Sequence, residues 1–203
     1  MTAKNMTNPF NSGYFSEHEL TDAGFKSIGN NVQIARNATI IGLENIELGD
    51  NVRIDPYCSI IAIHGWARIG SFVHIAGYCY VSANEGVQMD DFSGISQGVK
   101  IYTRSDDYTG EYLTNPTVPE KYTGVIAGSV TLGKHVIIGS GSVILPKVSI
   151  GEGSSVGALS LVTKSLDAWG IYAGSPAKRL KSRSKHLLEL EAELRNEVDD
   201  QGI

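Results

Sequence analysis

Residues Leu132 to Leu166 read LGKHVI-IGSGSV-ILPKVS-IGEGSS-VGALSL-VTKSL. An aliphatic side chain returns at every sixth position: Leu132, Ile138, Ile144, Ile150, Val156 and Val162. A glycine follows most of them, at Gly133, Gly139, Gly151 and Gly157, and a small or β-branched residue comes four positions later, at Val136, Ser142, Val148, Ser154 and Ser160. An α-helix, at 3.6 residues per turn, cannot keep every sixth residue on one stripe. Short strands joined by tight corners can. The beat specifies a hexapeptide-repeat parallel β-helix, an all-β solenoid.

The same beat extends upstream. Ile28, Ile34 and Ile40 form one triplet, and Leu48, Ile54 and Ile60 the next. Ile69, Ile75 and Val81 follow, then Met89, Ile95 and Ile101. Three six-residue sides make a triangular coil of 18, so the chain holds about six coils over residues 28–166. The earlier coils run 20 or 21 residues, which places two or three extra residues at a corner of each. Four positions after each middle aliphatic stand Ala38, Cys58, Cys79, Val99, Ser142 and Ser160, a column small enough to point into a narrow prism. Cys58 and Cys79 therefore read as stacked structural residues, since buried free cysteine behaves as a small hydrophobe. A thiolate nucleophile is the alternative, but neither has an activating cation beside it in sequence.

From Met89 to Leu132 is a step of 43 residues, 25 more than one coil needs. The excess is an extended loop at 103–124, polar, aromatic and proline-bearing, and long excursions from a solenoid are commonly functional. Residues 1–27 are an N-terminal arm. Ser16 and Glu19 have capping-box spacing, which predicts a helix over Glu17 to Ala23, stopped at Gly24. Residues 167–203 form a C-terminal segment whose helix, predicted from Ser184 to about Val198, is expected to cap the open end of the prism.

Composition bounds the function. The net charge of −5 gives no electrostatic support for nucleic-acid binding. No apolar run reaches membrane-spanning length, and MTAKNMTNPFNSGYF lacks the apolar core of a signal peptide, so a cytoplasmic protein is expected, without membrane insertion. Two cysteines make no disulfide framework, and no histidine spacing suggests a metal site. His135 reads as a surface turn residue. His64 and Trp66, in an over-length corner, read as corner packing, with a sugar-stacking platform as the alternative.

The hexapeptides, the extended loop after the fourth coil and the ending AGSPAK (Ala173–Lys178) together resemble the left-handed β-helix acyltransferases. The nearest likeness is to galactoside and maltose O-acetyltransferases and to the enzymes that acylate amino sugars of surface polysaccharides. That resemblance implies a left-handed solenoid, a homotrimer with sites between neighbouring prisms, acetyl-CoA or another acyl-CoA as co-substrate, no metal, and a sugar or sugar-nucleotide acceptor. Motif by motif it implies CoA contacts at Ser140, Ala158, Thr163, Lys164, Lys178 and Lys181. Asn84 falls where an acceptor-binding residue belongs, with a corner role as the alternative, and Tyr108 and Glu111 on the loop are further acceptor candidates.

The family's general base does not carry over. Asp106 stands where the loop histidine belongs, and the HIAH-like stretch is His74-Ile-Ala-Gly77, with glycine in place of its second histidine. Three chemical readings stay open. Asp106 or Asp107 is the base, with a carboxyl raised by burial. His74 is the base. Or an amine acceptor, oriented by a carboxylate, needs no strong base because the departing thiolate takes the proton. A metabolite acyltransferase and a non-catalytic scaffold are the competing functions.

Overall fold

The computed structural model describes residues 10–201, so the first nine residues of the arm lie outside it. The chain winds a three-sided parallel solenoid. The first face stacks Ser27–Ile28, Ile46–Leu48, Ala67–Ile69, Val87–Met89, Val130–Leu132 and Ser149–Ile150. The second runs from Gln33–Ile34 through Arg53–Ile54, His74–Ile75, Gly94–Ile95 and Ile137–Ile138 to Ser155–Val156. The third runs from Thr39–Ile41 to Leu161–Val162. Six complete coils result, and Gly170–Ala173 adds part of a seventh on the second face.

Each predicted triplet lands in register. On the second face Ile34, Ile54, Ile75, Ile95, Ile138 and Val156 sit directly above one another. Parallel strands about 4.8 Å apart force equivalent residues into columns, and these columns form one continuous core. Cys58 and Cys79 are each 1% exposed, free, and directed at backbone carbonyls of the coil above, as the small-column reading requires.

The corners are columns too. On the edge between the first and second faces, Asn31, Asn51, Phe72, Phe92 and His135 all adopt left-handed φ between 52° and 60°. Non-glycine residues pay strain there, and stacking along the edge offsets it. Asn31 Nδ2 donates to Asn51 Oδ1 at 2.7 Å. Phe72 and Phe92 stack at 4.7 Å with 2° between ring planes, and Phe92 stacks on His135 at 5.2 Å. His135 is thus a buried edge residue at 8% exposure, which corrects the expectation of a surface turn.

The arm helix α1 (Glu17–Thr21) has the predicted capping box and ends two residues earlier than expected. The C-terminal helix α2 (Leu187–Gln201) departs from expectation more: it lies along the Phe92–His135 edge and does not cap the prism. Glu191 fixes it there, bonded to His135 at 2.7 Å, Lys134 at 2.6 Å and Arg195 at 2.6 Å. The prism end is instead covered by an antiparallel hairpin, Gly170–Ala173 with Lys178–Ser182, that buries Tyr172. A helix with charges on several faces gains more from this ion-pair cluster than from an apolar end.

Burial alone would raise the Glu191 carboxyl, but hydrogen bonds from Lys134, Arg195 and His135 outweigh it and hold it at about 2. A carboxyl depressed in the folded state contributes stability above its unfolded value near 4.5 and loses it as pH falls from there to about 2. Tryptophan fluorescence is expected to report α2 loosening across that window, because Lys185, just before the helix, lies 5.1 Å from the Trp169 ring. Glu191→Gln should remove this acid-dependent step.

Candidate active site

The extended loop leaves from the third edge, between the third and first faces. It begins as a short antiparallel ladder, Arg104–Ser105 with Ile126–Ala127, and the chain re-enters the stack at Val130. Asp107 organises the loop. Its carboxylate accepts from the Thr109 hydroxyl at 2.8 Å and from the backbone N–H groups of Thr109, Gly110 and Tyr112. Those bonds, the Thr109 hydroxyl first, hold its carboxyl below the ordinary range. A carboxylate so committed is poorly suited to take a proton. Asp106 differs. It is half-buried and accepts one bond, from the Asn115 N–H at 3.3 Å. Tyr108, 92% exposed, and Glu111 project from the same loop.

Asn84 lies on the third edge one coil below the loop and accepts from the Ile63 N–H at 3.2 Å, so its carbonyl serves the corner while its amide N–H groups make no bond to the described residues. Trp66 packs over Gly86, where an added Cβ would sit 2.5 Å from the indole, and Arg68 covers its ring at 4.5 Å. That arrangement is corner packing.

His74 sits on the opposite side of the prism. It begins the third coil's strand on the second face, is half exposed, and its Nε2 meets Asp55 Oδ2 at 2.8 Å. It lines a groove of about 600 Å³ between the second face and α2, with Gly94, Ser96, Gln97 and Ile137 beside it. Gly94 is its in-register neighbour, so no side chain stands above the ring on that column.

The residues assigned to CoA divide between two edges. Ser140 and Ala158 stack on the edge between the second and third faces, where Ser140 Oγ reaches Gln97 Oε1 at 3.3 Å and its carbonyl accepts from the Leu159 N–H. Lys178 and Lys181 extend that side on the outer hairpin strand. Thr163 and Lys164 lie exposed across the third face, on the loop's edge. Within one chain the two groups are a full face apart, and His74 is separated in the same way from Asp106. Sequence inspection missed Asp55 and the groove wall made by α2. Register would have revealed Asp55: it holds the position that other coils give to Ala35, Ala76, Ser96, Gly139 and Gly157.

No group of three or more His, Cys, Asp or Glu side chains among the described residues is placed to hold a metal ion. No helix among them is long and apolar enough to cross a membrane.

Comparison with known proteins agrees with this architecture. Residues 129–164 match the model of the bacterial transferase hexapeptide family (six repeats). An Escherichia coli dTDP-4-amino-4,6-dideoxy-D-glucose acyltransferase is 44% identical over 179 residues, covering 88% of this chain and 93% of that protein. AntD, an N-acyltransferase from Bacillus cereus solved with dTDP and 3-hydroxybutyryl-CoA, is 43% identical, with a TM-score of 0.89 over 93% of this chain and 99% of that one. AntD has also been solved as variants at one aspartate and at a serine ten positions before it. A maltose O-acetyltransferase from Clostridium difficile, 21% identical over 83% of this chain and 75% of its own, shares the fold at a TM-score of 0.56. With identity above 40% sustained along nearly its whole length, the chain belongs to the hexapeptide-repeat acyltransferases, alongside the dTDP-amino-sugar acyltransferases.

Proposed function

We propose that this chain transfers an acyl group from acyl-CoA to the amino group of a dTDP-linked 4-amino-4,6-dideoxy sugar, a step in building surface polysaccharide, and that it works as a homotrimer. A 44% identical relative is named for that acceptor, and a 43% identical one is solved with it and with CoA. The observation that carries the reading is the division of the site. Asp106, Asn84, Thr163 and Lys164 occupy the third edge, whereas His74, Ser96, Ser140 and Ala158 occupy the second face and the edge beyond it. A cyclic trimer lays one copy's third edge against the next copy's second face and completes each site.

In this arrangement the acyl-CoA arm lies along the Ala158–Ser140 edge, with its phosphates toward Lys178 and Lys181 of the outer strand and Thr163 and Lys164 of the facing copy. Ser96 and Asp106 repeat the ten-residue serine-to-aspartate spacing of the AntD variants. Asp106 pairs with the acceptor's amino group and orients it toward the thioester carbonyl. Tyr108 and Glu111 close over the sugar from the loop. Asp107 shapes the loop and touches no substrate. A charged nucleotide sugar and a CoA thioester do not cross membranes unaided, which supports a reaction in the cytoplasm, where CoA thioesters are made.

CoA release, followed with a thiol reagent, tests this. With acetyl-CoA and 3-hydroxybutyryl-CoA as donors, release is expected with dTDP-4-amino-4,6-dideoxyglucose and not with its 4-hydroxy counterpart. Release with hydroxyl acceptors alone, or with none of these sugars, contradicts the reading.

A further inference from the structure

Asp55 is the one charged residue in a column of small ones on the second face. Its side chain is 14% exposed, and three groups converge on it. Arg53 Nε donates to Oδ1 at 2.6 Å, the Tyr14 hydroxyl donates to Oδ1 at 3.0 Å, and His74 Nε2 sits 2.8 Å from Oδ2. Tyr14 arrives from the arm, held by a bridge to Ala35, and Arg53 also packs over its ring at 5.6 Å. Burial alone would raise the Asp55 carboxyl, but the bonds from His74, Arg53 and Tyr14 overcome it and hold the group below its usual value. Asp55 is therefore an ionised acceptor at neutral pH, and it cannot donate to His74.

That fixes the imidazole. A carboxylate on Nε2 selects the tautomer with its proton on Nε2 and leaves Nδ1 as the ring's lone-pair nitrogen. Nδ1 makes no hydrogen bond to the described residues. His74 lines the groove beside Ser96 and Gln97, which stand one coil above it and one coil below Ser140. The other titratable groups along that groove, His135, Glu191 and Arg183, are engaged with each other or with backbone carbonyls.

We propose that Asp55 is a positioning residue that makes His74 the proton acceptor for acyl transfer; this deepens the function proposed above and rests on it. The neutral amino nitrogen attacks the thioester carbonyl carbon, and His74 Nδ1 takes one proton from that nitrogen. The C–N bond forms and the C–S bond breaks. The imidazolium returns the proton to the departing thiolate, giving amide, CoA thiol and neutral His74. Tyr14 and Arg53 hold Asp55 and touch no substrate.

The test combines kinetics with nitrogen NMR of the intact protein. Asp55→Asn is expected to lower kcat roughly 100-fold with little change in KM for either substrate, because the amide no longer selects the tautomer. The double variant Asp55→Asn/His74→Ala should be no slower than His74→Ala alone, since Asp55 acts only through the ring. Additive losses, or a near-normal rate for Asp55→Asn, overturn the proposal. Independently of any acceptor, the 15N spectrum of the neutral wild-type His74 ring should show a protonated Nε2 and an unprotonated Nδ1; the opposite tautomer overturns it even if the variants fold poorly. Absence of turnover with every amino sugar, alongside the expected tautomer, would count against the substrate and leave the dyad standing.

Discussion

Replacing Asp106 with asparagine lowers kcat for acyl transfer by about 100-fold while the thermal midpoint stays within a degree or two. The carboxylate accepts only one bond from its own chain, at 3.3 Å from the Asn115 N–H, and asparagine keeps an oxygen able to accept it. What the variant loses is the negative charge proposed to face the acceptor's amino group, and a hydrogen bond to a charged partner is worth about twice a neutral one. Asp107→Asn should behave in the opposite way. Its carboxylate ties together Thr109, Gly110 and Tyr112, so the variant loosens the loop, raises KM for the acceptor and spares more of kcat. Steady-state kinetics on the two variants separates these roles. Equal losses in both would remove Asp106 from the position assigned to it.

Truncating Ile138 to alanine costs about 3–4 kcal/mol of stability, measured by chemical denaturation. Ile138 is fully buried, with Ile95 below and Val156 above in register. The cost falls near the upper half of the usual range because the prism cannot collapse into the void. Strand spacing is set by backbone hydrogen bonds, such as Gly139 N–H to Val156 carbonyl at 2.7 Å. An added Cβ at Gly139 would lie 2.4 Å from the Ala158 nitrogen, so the coils are already as close as backbone allows. A rigid scaffold keeps the cavity open, and the full transfer and cavity terms remain.

The solenoid was legible because its signal is local and repeated. Each aliphatic of the six-residue beat, from Ile28 to Val162, took the inward place its spacing predicted. Features set by contacts between coils were not legible from a single turn. His135 looked like a surface residue within LGKHVI, yet its position, three after Leu132, is the one Phe92 holds after Met89 and Phe72 after Ile69. Reading down that column shows a ring stack, and α2 then buries its end through Glu191. The helix misled for a related reason. An end cap was expected of it, but Leu188, Leu190 and Leu194 remain partly exposed, and Glu191 ties it to Lys134 and His135 on the edge. Asp55 escaped notice because its partner His74 is 19 residues away in sequence and adjacent only once the coils are stacked.

The candidate residues were legible by type, and their arrangement was not. Asp106, His74 and the Ser140–Ala158 pair stood out in the sequence. Only the stacked prism shows that a whole face separates Asp106 from the others, so that a single chain leaves each half facing outward. The functional account depends on two copies meeting there.

Mixing two disabled variants tests that dependence. If the chain is the proposed homotrimer, His74→Ala and Asp106→Asn chains, carrying different tags and co-expressed in equal amounts, assemble so that some interfaces join an intact His74 to an intact Asp106. Random assembly makes about a quarter of all interfaces intact. The mixed enzyme is therefore predicted to recover about a quarter of wild-type CoA release, although each variant alone is nearly inactive. Recovery no greater than the average of the two separate variants would place His74 and Asp106 in the same site of one chain, or in no common site, and would contradict the account.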